Sequence, residues 1–167
     1  AKLDGIDRDA LDNLALTSQT RADHAIKEGR FSKSLIPVHN EDGTVALDHE
    51  EFPRPQTTKD GLGQLKTVFS MWKDVPVDDK GTTYGALVEQ RYPQLKDNWA
   101  HVHHAGNSSG VVDGAAALLL TSKAFADVHG LKPRARIVTA INMGDDPTLM
   151  LNAPVPAAKK ALARAGL

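Results

Sequence analysis

Length, composition and charge set the first limits on this chain. It has 167 residues, 20 Lys and Arg against 21 Asp and Glu, a formal charge of −1, 41% hydrophobic residues and no cysteine. A chain of this size can bury a core. The balanced charge argues against a general nucleic-acid or acidic-membrane binder, and the lack of cysteine excludes disulfides, thiolate metal sites and a cysteine nucleophile of its own.

No apolar run approaches the ~20 residues that span a bilayer, and no charged-then-apolar leader opens the chain. We therefore expect a soluble, cytoplasmic protein with no membrane span.

The first predicted element is an amphipathic helix with Asp7 as N-cap and Gly29 at its end. One side carries small and apolar residues at helical spacing: Leu11, Leu14, Ala15, Ser18, Ala22, Ala25 and Ile26. The polar residues Arg8, Asp12, Gln19, Asp23 and Lys27 fall mostly on the opposite side.

The rest of the chain is predicted to alternate short extended pieces with short helices. Extended pieces at 35–38 and 45–47 are joined by a turn at 40–43, and Pro37 marks the first as an edge or non-sheet segment. The apolar runs 115–120 and 136–141 predict two buried strands around a helix, a strand–helix–strand unit. The predicted helices run from Thr57 or Thr58 to about Phe69, near 83–91, from Ser122 to Gly130 with Phe125 and Val128 inward, and from about Pro154 to Gly166.

Two stretches have the residue types of a ligand site. In the loop 105–110, glycines and small residues let backbone amides approach a ligand, and two serine hydroxyls add donors. These features suit a polar or thioester-linked ligand, although an ordinary turn has the same composition. Arg54, Lys59 and Lys66 offer positive charge near a helix start, where a phosphate could bind, or form a solvated basic face.

Histidines cluster just before this loop. On a strand, His101 and His103 would share a face and could hold a metal ion, but a third ligand is needed, and Asp113 is the nearest carboxylate. Ordinary hydrogen-bonded histidines are the alternative. His104 could serve as a general base, as any histidine near a polar pocket could, and nothing in the sequence singles it out.

The motifs of the chain, taken in order, resemble the middle of a thiolase. They are Arg54-Pro55 with Thr57-Thr58, Gly61-Leu62, Leu65-Lys66 and Phe69, then Gly106–Gly114, Gly130–Val138, Pro154–Ala157 and Lys160–Leu167. The stretch before His101 and the sequence His-Val-His-His are most similar to the thiolase (β) subunit of bacterial fatty-acid-oxidation trifunctional complexes. Two strands and one amphipathic helix do not complete a core, which also predicts an internal segment of a larger protein.

The resemblance implies an α/β chain with a partial thiolase-like fold: a loop domain plus a strand–helix–strand piece of the layered core. Residues 1–112 would form the loop domain that covers the coenzyme A site. Residues 113–150 would end the N-terminal thiolase half, and 151–167 would begin the C-terminal half. These boundaries follow from the positions of the motifs.

The resemblance also implies an acyltransferase activity for the parent protein. Thiolases cleave a 3-ketoacyl-CoA into acetyl-CoA and a shortened acyl-CoA in fatty-acid β-oxidation, or run the reverse condensation. A cysteine takes the acyl group, a histidine activates it and a second cysteine moves protons. None of these residues is expected in this chain, so it contributes no catalytic residue and should have no turnover by itself.

Five contacts to coenzyme A are implied by motif position. They are Arg54 near the adenine and phosphates, Val68 and Phe69 as apolar contacts, and Ala105 and Ser109 along the pantetheine arm. The sequence departs from the family at two nearby positions. Gly61 stands where some relatives carry a serine that contacts the coenzyme, and His104 stands where many have threonine.

A coenzyme A thioester would be the substrate, with no covalently bound cofactor and no metal. The implied partners are acyl-CoA or CoA, the rest of the thiolase core, further copies of the chain and a hydratase/dehydrogenase subunit, without nucleic acid. Two alternatives stay open: a non-catalytic docking or assembly module, and a metal site at His101 and His103. The aromatic-rich stretch 70–99 could line an acyl tunnel, contact a partner subunit or simply pack as a lid.

Overall fold

Four of the five α-helices begin after a side chain that accepts a hydrogen bond from a free backbone amide. The computed structural model describes all 167 residues and contains α1 (Arg8–Lys27), α2 (Lys59–Gly63), α3 (Tyr84–Arg91), α4 (Lys123–Val128) and α5 (Pro154–Ala165). The predicted caps Asp7, Thr58 and Ser122 accept from the amides of Ala10, Gly61 and Phe125. Thr83, near which the third helix was predicted to begin, accepts from the amide of Ala86. These starts were predictable because capping involves only neighbouring residues.

Glycines in the left-handed conformation end three of these helices. Gly29, Gly130 and Gly166 have φ values of 66°, 62° and 73°, which residues with a Cβ rarely adopt. All three positions agree with the sequence prediction. α2 is shorter than predicted and ends at Gly63 rather than near Phe69, because two glycines in one short segment favour the helix poorly.

The first unit of the chain, Ala1–Val112, contains α1 to α3 and a two-stranded antiparallel sheet. Strands β1 (Val38–His39) and β2 (Val45–Leu47) pair across the predicted turn at 40–43. β2 matches the predicted piece 45–47, whereas β1 overlaps the predicted piece 35–38 only at Val38. β1 begins only after Pro37, which has no amide hydrogen to donate to a neighbouring strand. α1 lies against α2 and against a 3-10 turn at Ala105–Asn107.

The face that α1 turns toward the rest of the unit differs from the predicted apolar stripe. Asp12, on the polar side of the predicted helix, is only 4% exposed, whereas Leu14 is 68% exposed. The sequence prediction was therefore wrong for both residues. The apolar pattern fails because hydrogen-bond donors from distant segments surround Asp12, and burying a charge is tolerated only when it is so paired.

The aromatic-rich stretch 70–99 folds around α3, where a helix was predicted. The Trp99 indole donates to Glu89 at 3.0 Å, and the Lys73 ammonium lies 4.8 Å above the Trp99 ring. Lys73 also pairs with Glu89 at 3.7 Å. Trp72 and Tyr84 make an edge-to-face contact with ring centres 6.1 Å apart. These contacts join the two sides of the stretch around α3, although Trp72 and Tyr84 stay half exposed.

The second unit, Asp113–Leu167, contains α4 and α5 joined by irregular segments. Of the predicted strand–helix–strand piece, only the helix forms: neither 115–120 nor 136–141 is a strand. A strand needs a hydrogen-bonded neighbour, and no segment of this unit pairs with either run. Phe125 and Val128, predicted to point inward, are exposed, and Ala126 is the buried residue of α4. Across the whole chain, no helix combines the length and apolarity needed to traverse a membrane.

Candidate functional site

A buried polar network joins α1 to the loop 105–110. His104 has no exposed surface, and its Nε2 lies 2.7 Å from Asp12 Oδ1. The Asn107 amide donates to the same Asp12 oxygen at 2.9 Å. Asn107 Oδ1 in turn accepts from the backbone amide of His104 at 2.8 Å. Asp12 thus connects the helix to both ends of the 3-10 turn that opens the loop.

The hydrogen bonds fix the tautomer of His104. The Gly106 backbone amide donates to Nδ1 at 3.1 Å. Because a backbone amide can only donate, Nδ1 accepts and the proton of the neutral ring lies on Nε2, which donates to Asp12. The predicted alternative of an ordinary hydrogen-bonded histidine therefore describes His104, and the buried ring has no open side for a substrate.

Arg8 completes the network on the other side of Asp12. Its Nε donates to Asp12 Oδ2 at 3.1 Å. Its Nη2 donates to the carbonyl oxygens of Leu62 at 2.7 Å and Leu65 at 2.9 Å. These carbonyls belong to the end of α2 and the residues after it, where the helix leaves oxygens without a partner. One guanidinium thus ties α1, α2 and the buried carboxylate together.

The glycines of the loop have a packing role in this structure. A Cβ on Gly106 would lie 2.5 Å from Leu62 Cδ2 and 2.8 Å from Leu65 Cδ1, and a Cβ on Gly110 would collide with the Phe52 ring. The composition of the loop predicts either a close approach of a ligand to the backbone or an ordinary turn. At both positions the space is filled instead by side chains of the protein.

An open groove of about 320 Å³ lies between α1 and the loop. Leu11, Leu14 and Ala15 supply an apolar wall, and Ser108 and Ser109 line the loop side. Both serines are exposed, and neither hydroxyl makes a hydrogen bond within the protein. The remaining lining residues are Ser18, Gln19, Phe52, Gly106 and Asn107. The groove therefore combines an apolar wall with free hydroxyl groups.

Arg54 lies next to this groove. Its backbone amide donates to the Gln19 side chain at 2.7 Å, and Gln19 lines the groove together with Phe52. The Arg54 Nη1 donates to the carbonyl oxygens of residues 51, 52 and 53. One guanidinium nitrogen is thus engaged locally, while Nε and Nη2 are available to an anion. Lys59 pairs with Asp9 at 2.7 Å.

The other predicted contact residues approach the loop to different extents. The Val68 amide donates to the carbonyl of His103 at 2.9 Å, which places this segment beside the loop. Phe69 is 62% exposed and has a φ of 63°, a left-handed conformation that costs about 1–3 kcal/mol outside glycine. Ala105 begins the 3-10 turn and is exposed. Of the five predicted contacts, Ser109 lines the groove itself.

The histidines before the loop do not form a metal site. No group of three or more His, Asp or Glu side chains is close enough to hold a metal ion. His101 packs against Trp99 with ring centres 5.3 Å apart, and its Nε2 is buried without a hydrogen bond. Burial, together with the charges of Lys73 and His103, lowers the pKa of His101.

Sequence reasoning missed three residues of α1 that build this site: Arg8, Asp12 and Gln19. Arg8 and Asp12 are four residues apart, which predicts a surface ion pair on a helix, and the burial of the pair depends on α2 and the loop. Gln19 carries no local signal, because its hydrogen bond joins residues 35 positions apart.

The network predicts a specific loss of stability in acid. Burial by itself would raise the pKa of Asp12, but hydrogen bonds from His104, Arg8 and Asn107 outweigh it, so the pKa lies below 3.8. As the pH falls, the Asp12 carboxylate therefore takes up a proton in the unfolded chain at a higher pH than in the folded chain. The stabilisation is present above about pH 4 and is lost as the pH falls through the lower folded pKa.

Urea unfolding at a series of pH values from about 5 to 2 measures this effect. We expect the free energy of unfolding to fall more steeply in the native chain than in Asp12→Asn, whose amide does not titrate. Other aspartates, such as Asp42 and Asp78, also have lowered pKa values and contribute equally to both proteins. Parallel curves for the two proteins would contradict the prediction.

Comparison with known proteins shows which family this chain resembles. The family model described as the thiolase N-terminal domain matches residues 1–75. The resemblance to thiolases inferred from the motifs is confirmed by this match and by relatives that are about 40% identical over almost the whole chain. Its helices and small two-stranded sheet agree with the predicted partial α/β thiolase-like fold.

Individual relatives match along almost the whole chain. A 3-ketoacyl-CoA thiolase of Vibrio parahaemolyticus is 40% identical over 99% of this chain and 36% of its own length. A 3-ketoacyl-CoA thiolase of Marinobacter nauticus is 38% identical over 100% of this chain and 37% of its own length. An acetyl-CoA acetyltransferase of Shinella zoogloeoides is 36% identical over 96% of this chain and 34% of its own length. These relatives are named as acyltransferases, and the chain spans just over a third of their length.

Proposed function

We propose that this chain is the coenzyme A-contacting segment of a 3-ketoacyl-CoA thiolase. The observation that carries the proposal is the groove between α1 and the loop 105–110, which presents two unpaired serine hydroxyls opposite an apolar wall. The whole protein would cleave a 3-ketoacyl-CoA into acetyl-CoA and a shortened acyl-CoA, or catalyse the reverse condensation. The names of the relatives, 3-ketoacyl-CoA thiolase and acetyl-CoA acetyltransferase, support this reaction class.

The groove has the chemistry that a pantetheine arm requires. The arm alternates amide groups with short apolar links, so hydroxyl donors on one wall and Leu or Ala side chains on the other match it. We assign the arm to Ser109 and Ala105, with Val68 and Phe69 as apolar contacts beside the loop. Arg54 would bind the phosphates through its free guanidinium nitrogens, since a planar fork of donors suits phosphate oxygens.

The covalent chemistry would come from residues outside this chain. A thiolase transfers the acyl group through a cysteine thioester, and the chain has no cysteine. We therefore propose that the 167 residues bind the coenzyme but have no thiolase turnover alone. The rest of the thiolase core, further copies of the chain and a hydratase/dehydrogenase subunit are proposed partners in the cytoplasm.

One observation favours the second candidate, a docking or assembly module. Leu118, Leu119 and Leu120 in the second unit are 70–89% exposed, and Ile137 and Val138 are exposed as well. Consecutive exposed apolar residues of this kind are typical of surfaces that pack against other protein. The two candidates are compatible, because a binding segment of a larger enzyme must also dock onto its remaining core.

Titration calorimetry of the chain with coenzyme A tests the proposed binding through Ser109. We expect Ser109→Ala to weaken the affinity by about 2- to 13-fold, which corresponds to one neutral hydrogen bond of about 0.5–1.5 kcal/mol. Ser34→Ala is the matched control, because that exposed serine bonds only to a neighbouring carbonyl. Equal affinities of the native chain and Ser109→Ala would contradict the assignment.

The assignment of Arg54 to the phosphates is tested by comparing two ligands. Because Arg54 is exposed, we expect Arg54→Ala to weaken coenzyme A binding only up to about fivefold at low salt. Pantetheine, which has no phosphate, should bind both proteins equally. Arg21→Ala removes an exposed charge from α1 and should leave both affinities unchanged. An equal loss for pantetheine would show that Arg54 acts through the loop structure instead.

A further inference from the structure

The loop 105–110 has few backbone bonds of its own. Within it, the Asn107 amide donates to the His104 carbonyl at 3.1 Å, closing the 3-10 turn. The nearest backbone bond to another segment is that from Val68 to His103. No backbone hydrogen bond joins the loop to α1, although α1 forms the opposite wall of the groove. The position of the loop relative to that wall therefore depends on side chains.

The side chains that supply this link converge on Asp12. Its Oδ1 accepts from His104 and Asn107, which lie at the start and the end of the turn. The ring of His104, oriented by Asp12, in turn fixes the position of Gly106, because its Nδ1 accepts a hydrogen bond from the Gly106 amide. Ser108 and Ser109 follow directly after this turn. The side chains of His104 and Asn107, which fix the backbone just before Ser109, are thus both oriented by the buried carboxylate of Asp12.

We propose that Asp12 is a positioning residue that holds the loop 105–110 through His104 and Asn107, so that Ser109 faces the groove. The inference rests on the proposed function, because Ser109 matters only if the groove binds a ligand. Its physical basis is the fixed tautomer: with Nε2–H bonded to a carboxylate, Nδ1 remains an acceptor for Gly106. The side chain of an asparagine at position 12 would direct its NH2 group either toward the Nε2–H of His104 or toward the guanidinium of Arg8. Both of these groups are donors, so one hydrogen bond would be lost in either orientation.

The first test is spectroscopic and needs no ligand. Long-range proton–nitrogen NMR of the chain should show His104 as the Nε2–H tautomer, and hydrogen exchange should show a protected Gly106 amide. In Asp12→Asn we expect a mixture of tautomers and Gly106 exchange at least about tenfold faster. Asp9→Asn removes an exposed carboxylate from the same helix and should change neither signal. An Nδ1–H tautomer in the native chain, or unchanged exchange in Asp12→Asn, would overturn the proposal.

The second test measures coenzyme A affinity in a double-mutant cycle. Asp12→Asn should weaken binding by about three- to tenfold, within the range of one hydrogen bond. In the Ser109→Ala background the same change should have no further effect, because the two residues act through one contact. Full additivity of the two losses would overturn the proposal, since a general loss of stability would act independently of Ser109.

A conservative variant separates positioning from folding. The amide nitrogen of His104→Gln can still donate to Asp12, but its acceptor oxygen lies one bond further from Cα than Nδ1 does. We therefore expect the bond from the Gly106 amide to be lost and its exchange to rise, while the circular dichroism spectrum is unchanged. Retained Gly106 protection in this variant would also overturn the proposal. If the native chain fails to bind coenzyme A, the proposed function fails, whereas the tautomer and the Gly106 exchange still decide the positioning role.

Discussion

Replacing Asp12 with alanine is expected to lower the free energy of unfolding by about 2–4 kcal/mol, because it leaves the buried donors of His104 and Asn107 unpaired at about 1–3 kcal/mol each. The carboxylate is 4% exposed and accepts hydrogen bonds from Arg8, His104 and Asn107. Without it, the Nε2–H of a fully buried imidazole loses its only acceptor. Leaving a buried donor unpaired costs more than the hydrogen bond was worth.

Urea unfolding followed by tryptophan fluorescence measures this loss. Trp72 and Trp99 both lie in the first unit, so the signal reports on the unit that contains Asp12. Asp9→Ala is the matched control, because Asp9 lies on the same helix and its contact with Lys59 is at the surface. We expect that control to unfold almost as the native chain does. A loss below about 1 kcal/mol in Asp12→Ala would show that the network contributes little.

Gly106→Ala is expected to destabilise the first unit by about 1–3 kcal/mol, as overpacking of a filled site does. The added Cβ would lie 2.5 Å from Leu62 Cδ2, and Leu62 is 4% exposed, so its side chain has little room to move. The displaced atoms belong to the end of α2, which Arg8 also holds. We expect the loop and α2 to separate slightly, and the affinity for coenzyme A to fall with the stability.

Gly63→Ala is the matched control, because we expect it to stabilise the protein slightly where Gly106→Ala destabilises it. No atom lies within 4 Å of a Cβ at this position, which is the last residue of α2, and alanine favours a helix over glycine by up to about 1 kcal/mol. Thermal unfolding should therefore rank Gly63→Ala at or above the native chain and Gly106→Ala well below it. Equal unfolding temperatures for the two variants would contradict the packing role of Gly106.

The two predictions concern the same physical point, which is how a loop without regular structure is held in place. The loop 105–110 is fixed from one side by polar bonds to Asp12 and from the other by close contact with Leu62 and Leu65. A ligand site built on such a loop is preorganised, because the serines are placed before a ligand arrives. The proposed binding of coenzyme A uses this arrangement.

The family motifs were recognisable in the sequence because they are ordered and span nearly the whole chain, and the comparisons confirm them. The role of each residue within the motifs was harder to predict. The glycines of the loop pack against Leu62 and Phe52, and sequence alone did not distinguish this packing from a ligand-binding role. The five coenzyme A contacts remain predictions for the binding experiments to decide.

The sequence by itself determined the starts of the helices, the glycine ends of α1, α4 and α5, and the hairpin turn, because capping and turn formation involve residues within a few positions of one another. Only the tertiary structure decided that Asp12 is buried and that His104 is a neutral acceptor for Gly106. The reason is separation along the chain: the bonds of Asp12 to His104 and Asn107 join residues 92 and 95 positions apart. A helical pattern that marks Asp12 as polar carries no information about partners brought together only by folding.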